Sequence, residues 1–260
     1  MQIKLNKGKK TIILLIKTGF NEIIRDPKIF FFIMIFPVMF LGIFAGISSV
    51  IHKSKQMNIS MLEFMFPGIL IFALLSTGLF GTTLPLVEMR KNGIMRLLTL
   101  TPLTTGQFVI SQIIVRLILS VVQITLFLIL GMLLKIVTIS DLIPLLLVSL
   151  IGMIMILSLG FLFGGFMSSV EIAGGILGAI SAPILMLSGV MMPFYIMPDI
   201  VEDLAIFIPF TYMGDALRQI LFEHLEGKFS IYTDLAAILG FAVLFFVMTK
   251  LSFKWSNEKI

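Results

Sequence analysis

The stretch EMRKNGIMRLLTLTPLT, Glu88 to Thr104, carries four charges within nine positions (Glu88, Arg90, Lys91 and Arg96) and is bordered on both sides by long apolar runs. The runs occupy 64–87 and 108–134, and Arg116 is the single charged residue in either. About 20 apolar residues of helix cross a hydrocarbon slab ~30 Å thick, so each run is long enough to span, and the charged stretch is a polar connection held at one face. The same pattern recurs along the chain. Further runs cover 29–51, 142–167, 172–192 and 231–253, giving six spans that take up more than half of the 260 residues.

Composition agrees: 58% of residues are apolar and 13% charged, with 25 Phe and 18 Met, which is membrane-protein usage. The runs exceed strand length and show no sustained alternation, which argues against a β-barrel. The expected fold is all-α and integral to the membrane, a single domain over 1–260. It has six transmembrane helices, an N-terminal amphipathic interfacial helix over 11–27 and two short extracellular re-entrant helices within 193–230. No small-residue cleavage site follows the lysine-rich N-terminal segment, so the first span is expected to be retained. Cysteine is absent, which excludes disulfides and thiolate metal sites. The two histidines, His52 and His224, are far apart, and no metal site, catalytic residue or nucleic-acid partner is expected.

Lys and Arg set the orientation, because positive loops stay on the cytoplasmic side during insertion. The N-terminal segment has seven (Lys4, Lys7, Lys9, Lys10, Lys17, Arg25, Lys28), the 88–104 loop three and the C-terminus three (Lys250, Lys254, Lys259). The other side has five: Lys53, Lys55, Lys135, Arg218 and Lys228. Both termini and the 88–104 loop are therefore expected inside, and the acidic 193–230 loop outside.

Arg116 falls within the third run. Intramembrane charges are functional candidates by default. Yet Leu117 to Leu134 is 18 uncharged residues, about 27 Å of helix, which nearly crosses the slab without Arg116. The expectation is that Arg116 sits near the cytoplasmic boundary and snorkels to phosphate or water. Gln123 lies deeper and is expected to hydrogen-bond between helices rather than to substrate.

In the N-terminal segment, Ile12, Leu15, Ile16, Phe20, Ile23 and Ile24 recur at helical spacing, with Lys17, Asn21, Glu22 and Arg25 on the complementary arc. This predicts a helix along the membrane, ended by a corner at Pro27. Its polar face either has no partner or touches a cytosolic protein. The outer loop is apolar in pieces but cut by Pro193, Pro198 and Pro209, and segments of that length are re-entrant or interfacial more often than spanning. Pro198 suits the first turn of one short helix, whose positive end Asp199, Glu202 and Asp203 favour. Thr211 is placed to cap a second helix running through Glu223.

The 88–104 stretch itself contains the turn pair Asn92-Gly93, then the cluster Ile94, Met95, Leu97 and Leu98, then Pro102. It reads either as a short helix docking against another protein or as a basic loop that only fixes orientation.

The motif Glu88-x-Arg90-x-x-Gly93-x-x-Arg96-Leu97-Leu98-x-x-x-Pro102-Leu103, with Arg116 downstream, resembles the signature of type-2 ABC transporter permeases. Ser188-Gly189-Val190 with Pro193, Met197-Pro198, Pro209-Phe210-Thr211-Tyr212 and Asp215-Ala216-Leu217-Arg218 resemble that family's pattern before its last helix. Arg25-Asp26-Pro27 through Phe36-Pro37 resembles the start of its drug-exporter branch. The resemblance implies a permease that pairs with a second copy or a similar permease, and that is driven by separate cytosolic ABC ATPase subunits. ATP and Mg would be held by those subunits; this chain binds no cofactor itself and has no Gly-x-x-x-x-Gly-Lys-Ser/Thr loop. It implies ATPase coupling by Glu88, Arg90, Asn92, Gly93, Ile94, Arg96, Leu97 and Leu98, and connecting-helix contacts by Lys17, Asn21, Glu22 and Arg25.

Drug, peptide or lipid-like export from a bacterial cytoplasmic membrane is the favoured activity, because the Arg/Tyr-rich approach and early Trp of glycan permeases are missing and Trp255 is the only Trp. Export of polysaccharide or teichoic-acid-type glycans is the alternative. A scaffold or immunity subunit on the same fold is another. A membrane enzyme or proton-driven carrier would place acids or histidines inside the spans, whereas Glu88, Asp141 and Glu171 sit at predicted span ends. No substrate-binding residue can be singled out.

Overall fold

A computed structural model describes residues 2–50, 60–94, 100, 105–192, 194, 197–222 and 227–252, and no strand occurs among them. Helix α1 (Gln2–Arg25) is followed after Asp26 by α2 (Pro27–Phe30), a π-helical turn π1 (Phe31–Ile35) and α3 (Phe36–Val50). The next span is likewise composite: α4 (Met61–Leu75), π2 (Ser76–Phe80) and α5 (Gly81–Lys91). Then come α6 (Thr105–Leu133), α7 (Leu142–Phe166), α8 (Val170–Leu187), the short α9 (Asp199–Ala205) and α10 (Pro209–Leu221), and α11 (Ile231–Ser252).

Six of these segments are long and apolar enough to cross a membrane: Phe31–Val50, Met61–Lys91, Gln107–Leu133, Leu142–Phe166, Val170–Leu187 and Ile231–Leu251. The protein is a multi-pass membrane protein of the expected all-helical class. The second span is the hub, 72% buried against 17% for the first and last. Phe66, Ile69, Ile71 and Leu74 on α4 are fully enclosed, because the other helices pack round it. Around it α7 pairs with α11 and α5, and α10 lies against α11 and α7.

Local chemistry fixes the ends. Ser60 opens α4 with a capping box: its hydroxyl accepts from the Glu63 N–H at 3.2 Å, and the Glu63 carboxylate accepts from the Ser60 N–H. Ser169 opens α8 by accepting from Ile172 N–H at 3.2 Å. Lys135, at φ 61°, turns the chain after α6, and the N–H groups of Ile136 and Val137 both return to the Gly131 carbonyl.

Helix α1 extends further back than 11–27 and does not lie alone. It packs on α6 at Gly19, where an added Cβ would stand 3.3 Å from the Val115 side chain. Leu15, Ile16, Phe20 and Ile23 are half-buried, whereas Ile24, assigned from sequence to the same stripe, is exposed together with Ile13 and Leu14.

Two expectations are corrected. Thr211 does not cap the second short helix; Ile208 holds that position, and the Thr211 hydroxyl, in the first turn, donates to the Ala205 carbonyl at 2.7 Å. With Tyr212 OH donating to Ile206 at 2.9 Å, it closes the α9–α10 turn; Glu223 lies outside the described residues. Arg116 does not snorkel. It is 5% exposed and turned into the helix bundle, because the span length that freed it from the slab centre left its direction undetermined.

Candidate functional site

The charged stretch starts where α5 ends. Asn92 N–H returns to the Glu88 carbonyl at 2.9 Å and Gly93 N–H to the Arg90 carbonyl at 3.2 Å, with Gly93 at φ 71°, the left-handed residue that commonly stops a helix. Glu88, Lys91, Asn92 and Ile94 are exposed there. Arg90 turns inward instead: its guanidinium donates to the Gly164 carbonyl at 2.8 Å and Gly165 at 3.1 Å, capping the last turn of α7. Lys91 pairs with Glu171 at 3.0 Å, tying the end of α5 to the start of α8. Both partners are largely exposed, so the pair orients more than it stabilises. Arg96, Leu97 and Leu98 lie outside the described residues.

On α1, Lys17, Glu22 and Arg25 are exposed and Asn21 is half-buried. The Arg116 Nε and Nη2 both donate to the Gly81 carbonyl, at 3.0 and 2.6 Å, and Nη1 donates to Gln112 O at 3.1 Å. A shallow cleft beside it is walled by Pro85, Leu86, Met89, Phe108 and Phe161. Two turns along α6, Gln123 does make the expected interhelical bonds. Its Nε2 donates to Ile33 O at 2.6 Å, and its Oε1 accepts from the Thr77 hydroxyl at 2.9 Å.

The opposite end of the bundle has its own polar cluster. Arg218 Nη2 donates to the Gly189 and Val190 carbonyls, each at 2.6 Å, and the guanidinium lies 4.3 Å from the Phe64 ring centre. Burial lowers this guanidinium to about 10, and nearby Asp215 opposes that shift. Asp234, fully enclosed one turn into the last span, accepts from Gln219 Nε2 at 2.9 Å. Sequence reading missed Asp234. Its position four residues into a run otherwise free of acid until the C-terminus was the available signal.

Gly160 and Gly164 serve close packing inside the chain: a Cβ on Gly160 would stand 2.5 Å from Gly78 O, and one on Gly164 would stand 2.5 Å from Leu86. Gly178 has nothing within 4 Å, and Gly174 meets only Leu84 at 4.0 Å. Among the described residues no group of three or more His, Cys, Asp or Glu could hold a metal ion.

A family model described as ABC-2 family transporter protein matches residues 51–250. The chain is also 24% identical over 182 residues to the "Putative transport permease YvfS" of Bacillus subtilis (strain 168), covering 69% of this chain and 72% of that protein.

Proposed function

The chain belongs to the ABC-2 family of transporter proteins and is a transmembrane permease subunit, not itself catalytic; from that premise we propose that it serves an ATP-driven exporter. It moves an amphipathic drug, peptide or lipid-like molecule out across a bacterial cytoplasmic membrane, alongside a second permease copy or a similar permease. Cytosolic ABC ATPase subunits hold ATP and Mg. Both termini and the Gly93 end of the bundle face the cytosol, in line with the distribution of Lys and Arg. The α9–α10 pair then lies outside, dipping into the outer leaflet.

The observation that carries this reading is the termination of α5. Its left-handed stop at Gly93 leaves Glu88, Asn92 and Ile94 outward, while Arg90 and Lys91 bind that end to α7 and α8. A protein seated on the outward groups would push on three helices at once. Arg96, Leu97 and Leu98 would complete the seat, and Lys17, Asn21, Glu22 and Arg25 on α1 would offer a second contact.

The test is co-expression with a Walker-type ATPase encoded beside this chain. Recovery of both in one detergent particle, with ATP hydrolysis responding to the permease, supports the assignment. Recovery of the permease alone, with hydrolysis indifferent to it, overturns it.

A further inference from the structure

Two spans interrupted by a π-helical turn and a proline deliver their loose ends to the same helix. In an α-helix each carbonyl accepts from the N–H four residues on, and proline has no N–H to give. Pro85 therefore leaves the Gly81 carbonyl without its ordinary donor, and Pro37, just past π1, withholds an N–H from the turn in which the Ile33 carbonyl lies. Inside a membrane there is no bulk water to replace it, so another protein group must. At Gly81 that group is Arg116, with two N–H groups at 3.0 and 2.6 Å; at Ile33 it is Gln123, at 2.6 Å. Both donors stand on α6, seven residues apart, which places them on one face about 10 Å apart along the axis. Both prolines also follow a π-helical turn, π1 or π2, where the backbone is already off register.

We propose that Arg116 and Gln123 are positioning residues: from α6 they hold the proline hinges of the first and second spans in register, so that movement at the cytosolic end is carried along those spans and not lost in the kinks. The first span continues from α1 and the second ends in the Gly93 stop, so both routes from the ATPase meet a hinge that α6 holds. This inference rests on the reading of the chain as an ATPase-driven permease.

The test has two arms. In the purified full-length chain, Arg116→Met lowers the thermal midpoint, and most of that loss disappears in a Pro85→Ala background, where residue 85 again supplies an N–H to Gly81. Arg116→Lys, keeping a donor within reach, recovers part of it. An equal loss in the parent and in the Pro85→Ala background overturns the hinge-holding role. In the complex with the ATPase, a lone thiol at Met61→Cys reads the far end of the second span, since the chain has no cysteine of its own. Its labelling by a membrane-impermeant maleimide changes on adding ATP and vanadate, and Arg116→Met abolishes that change while assembly and ATP hydrolysis persist. A retained change overturns the transmission role. If the parent complex shows no nucleotide-dependent labelling, the transporter reading falls, while the thermal cycle still decides what holds the hinges. Should Arg116→Met fail to fold, Gln123→Leu against Pro37→Ala, with Val50→Cys as reporter, decides the same questions.

Discussion

The Arg90 guanidinium donates to the Gly164 carbonyl at 2.8 Å, so a residue from the stretch that looked like a free cytosolic loop closes the end of the fourth span. The last four carbonyls of a helix have no partner of their own, and a cation there also meets the negative end of the helix dipole. Arg90→Ala should lower stability by ~1–2 kcal/mol, the scale of charged hydrogen bonds reduced for partial exposure. Arg90→Lys should lose less, having one ammonium where Arg offers a fork. Thermal unfolding of the detergent-solubilised protein measures both, and an unchanged midpoint in Arg90→Ala would mean that the contact contributes nothing.

Glycine pairs that look alike in sequence separate in the structure. Gly160→Ala sets a Cβ 2.5 Å from the Gly78 carbonyl, a backbone atom that cannot step aside, so it should destabilise the chain by ~1–3 kcal/mol. A Cβ added at Gly178 meets nothing within 4 Å, so Gly178→Leu, which starts into open space, should leave the midpoint unchanged. If the Gly178 face of α8 meets the second permease, the same substitution dissociates the pair, which light scattering in detergent would register as a lower mass. A destabilised monomer in Gly178→Leu would contradict the open face.

Arg218 joins three elements at the far end, from α10 to the residues after α8 and the ring of Phe64 on α4. Arg218→Met keeps the apolar stem but leaves the Gly189 and Val190 carbonyls without this donor, at ~1–3 kcal/mol for each buried group left unsatisfied. Phe64→Leu should cost less, because it removes only the ring face. Proteolysis between 193 and 230 should quicken in Arg218→Met, with little change in Phe64→Leu. Equal protection of Arg218→Met and the parent would show that the latch is redundant.

The spans were legible because a run of apolar residues long enough to cross the slab is a one-dimensional property, and the six segments agree with the runs to within a few residues. What faces what is not one-dimensional. Counting residues from Arg116 to Lys135 established that the slab could be crossed without Arg116, but gave no direction for the side chain, and the structure turns it inward. The local clue was on another helix: Pro85 frees the Gly81 carbonyl in a segment with no water to satisfy it. The same applies to α1, whose amphipathic pattern was plain while its partner α6 was not, and to Arg90, whose charge marked the loop but whose carbonyl partners lie 74 and 75 residues further on. At the coupling stretch, Asn92-Gly93 was readable because a left-handed stop has its own residue preference.

That stop separates a docking surface from a loop whose charges only fix orientation. Gly93 stands at φ 71° with nothing within 4 Å of an added Cβ, so a substitution there acts through backbone conformation and not through crowding. Asn tolerates the left-handed region, whereas a β-branched residue does not, at ~1–2 kcal/mol or more. Gly93→Asn should therefore preserve the turn and Gly93→Val should break it, with insertion and net charge identical in both. Glu88→Lys supplies the complementary change: it adds a positive charge and so keeps the loop inside, yet removes an exposed carboxylate that a partner could engage. If the stretch docks into an ATPase, losing one side of a charge contact at ~2–3 kcal/mol weakens association by roughly 30- to 150-fold, and Gly93→Val mis-aims Ile94 and the residues after it. Co-purification with the ATPase and stimulated ATP hydrolysis should then fall in Glu88→Lys and Gly93→Val but hold in Gly93→Asn. If all three insert, bind and couple like the parent, the stretch serves orientation alone.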